Sequence, residues 1–134
     1  MCIGVTSALV RVPFNEAAMQ GSAVTFECST GVVINKLRWF NNMCMTRSHS
    51  YVDCRQYVIY SGFSVANSVG QRFSVSVVDN ATHVTRDLNI NSTQLTDAGV
   101  YLCIEQAIGV TSFSDSSSAQ LIVLGNYIWL SIKL

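Results

Sequence analysis

The sequence predicts an all-β protein, two antiparallel sheets packed face to face, on three observations. Apolar residues alternate with polar ones in short bursts, not at every third or fourth position as on a helix face. Val, Ile, Thr, Ser and Tyr abound while strong helix formers are scarce, which suits pleated, half-buried surfaces. Turn residues part the bursts at roughly ten-residue spacing.

The bursts run in order along the chain. Val24, Phe26 and Cys28 alternate with Thr25 and Glu27 directly after the turn signal Gln20-Gly21-Ser22. Leu37 and Trp39 flank Arg38, and a shorter run over 57–60 stops at Ser61-Gly62. Phe73, Val75 and Val77 alternate with Ser74 and Ser76 as far as Asp79-Asn80, and Leu88 and Ile90 alternate with Asp87 and Asn89. Residues 93–98 suit one helical turn. Tyr101 and Cys103 form the next inward pair, and Leu121 and Val123 the last. At least seven strands result. The Ser-rich stretch 112–118 reads as an exposed loop.

Totals narrow the function classes. The 134 residues fit one domain with one core, 49% of them hydrophobic and 12% charged. Acids and bases balance at a net charge of zero, so nothing attracts nucleic acid or an anionic membrane. Cys2, Cys28, Cys44, Cys54 and Cys103 show no C-x-x-C spacing, and His49 and His83 lie far apart, which argues against zinc. Disulfides and an oxidising, extracellular setting are the better expectation. Two glycosylation sequons, at Asn80 and Asn91, agree. No nucleophile motif stands near either histidine, so neither catalysis nor a cofactor is expected. The start, Met1-Cys2-Ile3-Gly4, lacks the basic and apolar regions of a signal peptide and reads as the beginning of a mature fragment. The apolar end LIVLGNYIWLSIKL (121–134) is too short to span a bilayer, and no membrane insertion is expected.

One constellation is more specific. Cys28, Trp39 eleven residues later, and Asp97-x-Gly99-x-Tyr101-x-Cys103 together resemble a variable-type domain of the immunoglobulin superfamily. The resemblance implies a two-sheet Greek-key sandwich over residues 10–125, with 1–9 as an N-terminal extension and 126–134 as an apolar tail or the start of a following segment. It also implies a Cys28–Cys103 disulfide, Trp39 packed on that bridge, Tyr101 as a tyrosine corner, and an ion pair between Asp97 and Arg72. QYVIYSG (56–62) is similar to the second edge strand of antibody light chains, and AQLIVLG (119–125) to the last strand of such domains. The chain departs from antigen receptors at 115–118, where Asp-Ser-Ser-Ser stands in place of Phe-Gly-x-Gly. A V-like domain of an invertebrate or otherwise non-rearranging receptor fits better than an antibody-like pair.

Two further groups of residues carry expectations. A Cys44–Cys54 bridge would brace a long turn or stiffen a recognition loop, leaving Cys2 free or paired outside this segment. With Trp39, Tyr101 and Cys103 inward, alternation turns Arg38, Phe40, Leu102, Ile104 and Gln106 outward; the light-chain resemblance adds Tyr57 and Tyr60. Such an apolar, aromatic patch reads as an interface, or as a face covered by the chain's own tail. Loops 29–35, 63–68 and 107–118 would cluster at one end, with Phe113 as a possible anchor. The expected role is an extracellular recognition module of a cell-surface receptor or adhesion molecule. It would bind itself, as a homodimer, or another protein through the sheet face. The alternative is a secreted immune-type domain that binds microbial or carbohydrate ligands through its loops.

Overall fold

The computed structural model describes residues 9–41, 57–110 and 113–125. Among the described residues ten strands form two five-stranded sheets, and there is no α-helix. The first sheet holds β1 (Leu9–Arg11), β3 (Val24–Phe26), β4 (Ser29–Thr30), β7 (Phe73–Asp79) and β8 (Val84–Ile90). The second runs in the order β2 (Glu16–Met19), β10 (Asp115–Leu124), β9 (Gly99–Gln106), β5 (Lys36–Asn41), β6 (Val58–Tyr60). The predicted sandwich is therefore present.

Three details differ from the sequence reading. First, β2 pairs with β10 in parallel, Leu121 opposite Glu16, while all other described pairs are antiparallel. The chain leaves the first sheet after β1, passes the buried Pro13, and enters the second sheet running alongside its last strand. Asn15 helps to seat it, its Oδ1 accepting from Gln120 N at 2.8 Å. Second, Ser29–Thr30 is strand, not loop: β3 and β4 follow one another along β8, with Val24 opposite Ile90 and Thr30 opposite Val84. They part at Cys28, whose N–H donates to Asp87 Oδ1 at 3.1 Å. Third, the Ser-rich stretch does not stay loop. Asp115 to Ser118 pair with Glu105 to Leu102 in unbroken register, because small polar side chains are tolerated where one face meets solvent and the backbone groups still need partners. The missing glycine bulge thus leaves a regular ladder.

The core lies between the sheets. Phe26, Cys28, Leu37, Trp39, Leu88, Ile90, Cys103 and Leu121 are essentially without exposure. Each such aliphatic or aromatic side chain contributes roughly 1.5–3 kcal/mol on leaving water. The Cys28–Cys103 disulfide joins the two sheets over a separation of 75 residues. Trp39 stands opposite Cys103 in the β5–β9 ladder, and its indole N–H donates to Arg86 O at 2.8 Å, so no donor is stranded. Tyr101 stacks on Phe26 with ring centroids 5.4 Å apart.

At one end of the core the corner motif closes. Leu95–Asp97 is a 3-10 turn, matching the predicted helical turn. Asp97 Oδ2 caps it by accepting from Gln94 N at 2.8 Å, and Tyr101 Oη donates to Asp97 O at 2.5 Å. Burial, and then the Asp97 charge, push the Tyr101 hydroxyl up to about 12. Register fixes what lies at the opposite end. Thr30 faces Val84, Asp79 faces Val84, Lys36 faces Gln106 and Trp39 faces Tyr60, so segments 31–35, 61–65, 80–83, 107–110 and 113–114 gather there.

Candidate recognition surface

The outer face of the β5–β9 sheet is closed. Phe40, Leu102 and Ile104 do point away from the inter-sheet core, as alternation requires, but their exposures are 0%, 4% and 2%. They form a second small cluster with Tyr57, Val58 and Phe113 packed against it. The Phe113 ring sits 5.7 Å from that of Phe40, so the expected loop anchor is a lid on the sheet. Among the described residues the open apolar patch is not present, and of the two expectations the covered face is the one these exposures fit.

Tyr60 departs from its expected place for a reason of register. It stands directly opposite the inward Trp39, and the pairing shifts between Trp39 and Phe40. Residues directly opposite share a face, so Tyr60 enters the inter-sheet core at 4% exposure, while Tyr57 stays half-buried on the outer face. Arg38 is buried too. Its Nε donates to Gln106 Oε1 at 2.9 Å, and its guanidinium also donates to Ser61 O, tying β5, β9 and the segment after β6 together.

The loop end presents the opposite picture. Ile34 is 65% exposed, Phe63 80% and Ile108 71%, with Val110 also exposed. A cleft of about 280 Å³ opens among Ile34, Lys36, Arg38, Gln106, Ile108 and Val110. Its walls are held in place by specific bonds. Gln106 Nε2 donates to Val110 O at 2.6 Å, and the turn before Val110 passes through Gly109 at φ +75°, a left-handed conformation that glycine adopts freely. Lys36 lays its stem against Gly62, where a Cβ would come within 2.5 Å of Lys36 Cδ, and Gly62 itself has φ +100°. Lys36 Nζ then stands 3.6 Å over the Phe63 ring.

Next to Gln106 in β9 lies a residue that the sequence reading passed over. Glu105 continues the inward series of Tyr101 and Cys103 and has no exposure. Its Oε2 accepts from Thr30 Oγ1 at 2.5 Å and from Asn35 Nδ2 at 2.7 Å. Thr30 Oγ1 accepts from Val32 N at 3.1 Å, and Asn35 N donates to Val32 O at 3.0 Å. Loop 31–35, which carries Ile34, thus hangs from a buried carboxylate. Period-two counting from Cys103 was the signal that would have found it.

The other predicted site residues are placed as follows. Arg72 and Asp97 form the expected ion pair, at 2.6 and 2.9 Å. Asn80 and Asn91 are both exposed; Asn80 Oδ1 accepts from Thr82 N and His83 N in the β7–β8 turn, at the loop end, while Asn91 follows β8 at the other. Cys2, Cys44, Cys54, His49 and the tail 126–134 lie outside the described residues. Among the described residues no three His, Cys, Asp or Glu side chains gather as a metal site. Among them, too, no helix is long and apolar enough to cross a membrane.

No family model and no curated protein sequence matches the chain. Solved structures do. The first immunoglobulin domain of RIG-5, crystallised as a homodimer, superposes with a TM-score of 0.64 at 15% identity, over 90% of this chain and 99% of that one. The N-terminal two-domain module of the Drosophila receptor protein tyrosine phosphatase DLAR gives 0.63 at 17% identity over 91% of this chain. A second structure, of tandem immunoglobulin repeats of Dlar, gives 0.55 at 18% over 87%. This chain spans 50% and 46% of those two longer chains. Disulfide, tryptophan, tyrosine corner and these likenesses together establish that the chain has the immunoglobulin fold.

Proposed function

We propose that the chain is an extracellular recognition module that binds a protein partner through its loop end. The observation that carries this reading is where the apolar side chains lie: Phe40, Leu102 and Ile104 are closed inside the molecule, whereas Ile34 and Ile108 stand in solvent on the wall of a cleft. Phe63 stands in solvent under the ammonium of Lys36, which also lines the cleft. Exposed apolar groups rimmed by polar ones are what interfaces use, and the hydrogen bonds of Arg38, Gln106 and Glu105 hold them ready. The inter-sheet disulfide and the two exposed sequons support an oxidising, extracellular setting. RIG-5 and DLAR, respectively a domain that forms homodimers and a receptor, are compatible structural company. A homodimer through the outer face of the β5–β9 sheet would first need that face uncovered, so contact through the loops is the better fit. The residues there are aliphatic more than aromatic or amide-bearing, which favours protein over carbohydrate.

The test is a binding screen of the chain, multimerised on beads, against an array of cell-surface and secreted ectodomains that includes the chain itself. A partner lost with Ile108→Asp and with Phe63→Asp, yet kept with Val78→Asp on the other sheet, is the expected result. Partners that survive both loop variants overturn the reading.

A further inference from the structure

The cleft has a chemical preference built into one side chain. Lys36 stands at its rim with its stem against Gly62 and its ammonium over Phe63. Among the described residues the charge that acts on it is another cation, Arg38, and none of the ion pairs there involves Lys36. Burial, followed by the Arg38 charge, holds its pKa below the usual lysine range. An ammonium that is partly desolvated, beside a like charge and in the lining of a cleft that also has aliphatic walls, is complemented by a carboxylate. The apolar walls at Ile34, Ile108 and Val110 call for an apolar side chain next to it.

We propose that the cleft binds a protein segment in which an Asp or Glu adjoins a large apolar residue. The carboxylate pairs with Lys36, and the apolar group seats among Ile34, Ile108 and Val110. Nucleic acid is disfavoured: the chain has no net positive charge, and Arg38 is already bonded to Gln106 and Ser61. This inference rests on the loop-end reading above, and its experiment separates the two.

The experiment is selection of a phage-displayed library of random dodecapeptides on the immobilised full chain, repeated on Lys36→Met, Lys36→Glu and Ile108→Asp. Lys36→Met keeps the stem against Gly62, and unchanged thermal melting of each variant shows that it is folded. Enrichment of acidic residues beside Leu, Ile or Phe is expected, with a switch to basic residues on Lys36→Glu. Lys36→Met should weaken the selected peptides by about tenfold, as should replacing their acid by its amide. Apolar peptides of no charge preference that Ile108→Asp abolishes would overturn the carboxylate assignment and leave the loop-end reading standing. Peptides bound equally by wild type and Ile108→Asp, or no enrichment at all, would overturn both.

Discussion

Arg72 and Asp97, 25 residues apart in sequence, meet as a two-pronged ion pair at 2.6 and 2.9 Å that locks the corner beneath the sandwich. The Asp97 side chain is 6% exposed and that of Arg72 29%. Burial alone would raise the Asp97 pKa; the Arg72 hydrogen bond, the Gln94 N–H and the Arg72 charge outweigh it and hold the carboxyl below 3.8. A carboxylate so depressed stabilises the fold above its unfolded pKa and loses that contribution as pH falls through its folded value. Asp87 works in the opposite sense, since burial raises its pKa above 3.8. Comparing wild type with Asp97→Asn isolates Asp97: the variant should melt lower at pH 7, by about 3 kcal/mol of stability, and the gap should close at pH values below the ordinary carboxylate range. Denaturant melts across pH measure it.

Removing the disulfide should cost far more than its two sulfurs suggest. With a separation of 75 residues, loop-closure entropy predicts a loss of about 4–5 kcal/mol for Cys28→Ala with Cys103→Ala. Urea melts of the oxidised wild type and the double variant give the difference directly.

Phe40 provides a sharper contrast. On an open recognition face Phe40→Ala would disturb binding and spare the fold. With Phe40 at 0% exposure, the substitution should destabilise the chain by about 3–5 kcal/mol, as a cavity in a packed cluster does. Equilibrium unfolding distinguishes these outcomes.

Much of this was legible in the sequence, and the misses have physical causes. The Cys28–Trp39–Tyr101–Cys103 constellation could be read because its joint spacing resembles a known superfamily, and the Arg72–Asp97 pair was carried by that resemblance. Alternation correctly turned Phe40 and Leu102 away from the inter-sheet core, but it says which face a residue joins, not what covers that face. Phe113, distant in sequence, is part of that answer. Tyr60 was misplaced because it was turned outward on the light-chain resemblance, whereas its place opposite the inward Trp39 turns it into the core. Short strands such as β1 and β2, mostly exposed, leave too little pattern to detect.

Glu105 should prove to be a positioning residue for loop 31–35. Glu105→Ala removes the single oxygen, Oε2, on which Thr30 Oγ1 and Asn35 Nδ2 both converge, and leaves two buried donors unpaired at about 1–3 kcal/mol each. Amide hydrogen exchange should rise at 31–35 more than in β8. Equal rises in both would mean that Glu105 serves general stability only.

The account turns on which apolar surface a partner can reach, and hydroxyl-radical footprinting of the full chain reads that directly. Phe63 and Phe40 are the same residue type, at 80% and 0% exposure, so their intrinsic reactivities cancel in the comparison. Rapid oxidation of Phe63 and Ile108, with Phe40, Leu102 and Ile104 protected, is the predicted result. Phe40 and Leu102 oxidised as fast as Phe63 would contradict it, and return the sheet face to its place as the recognition surface.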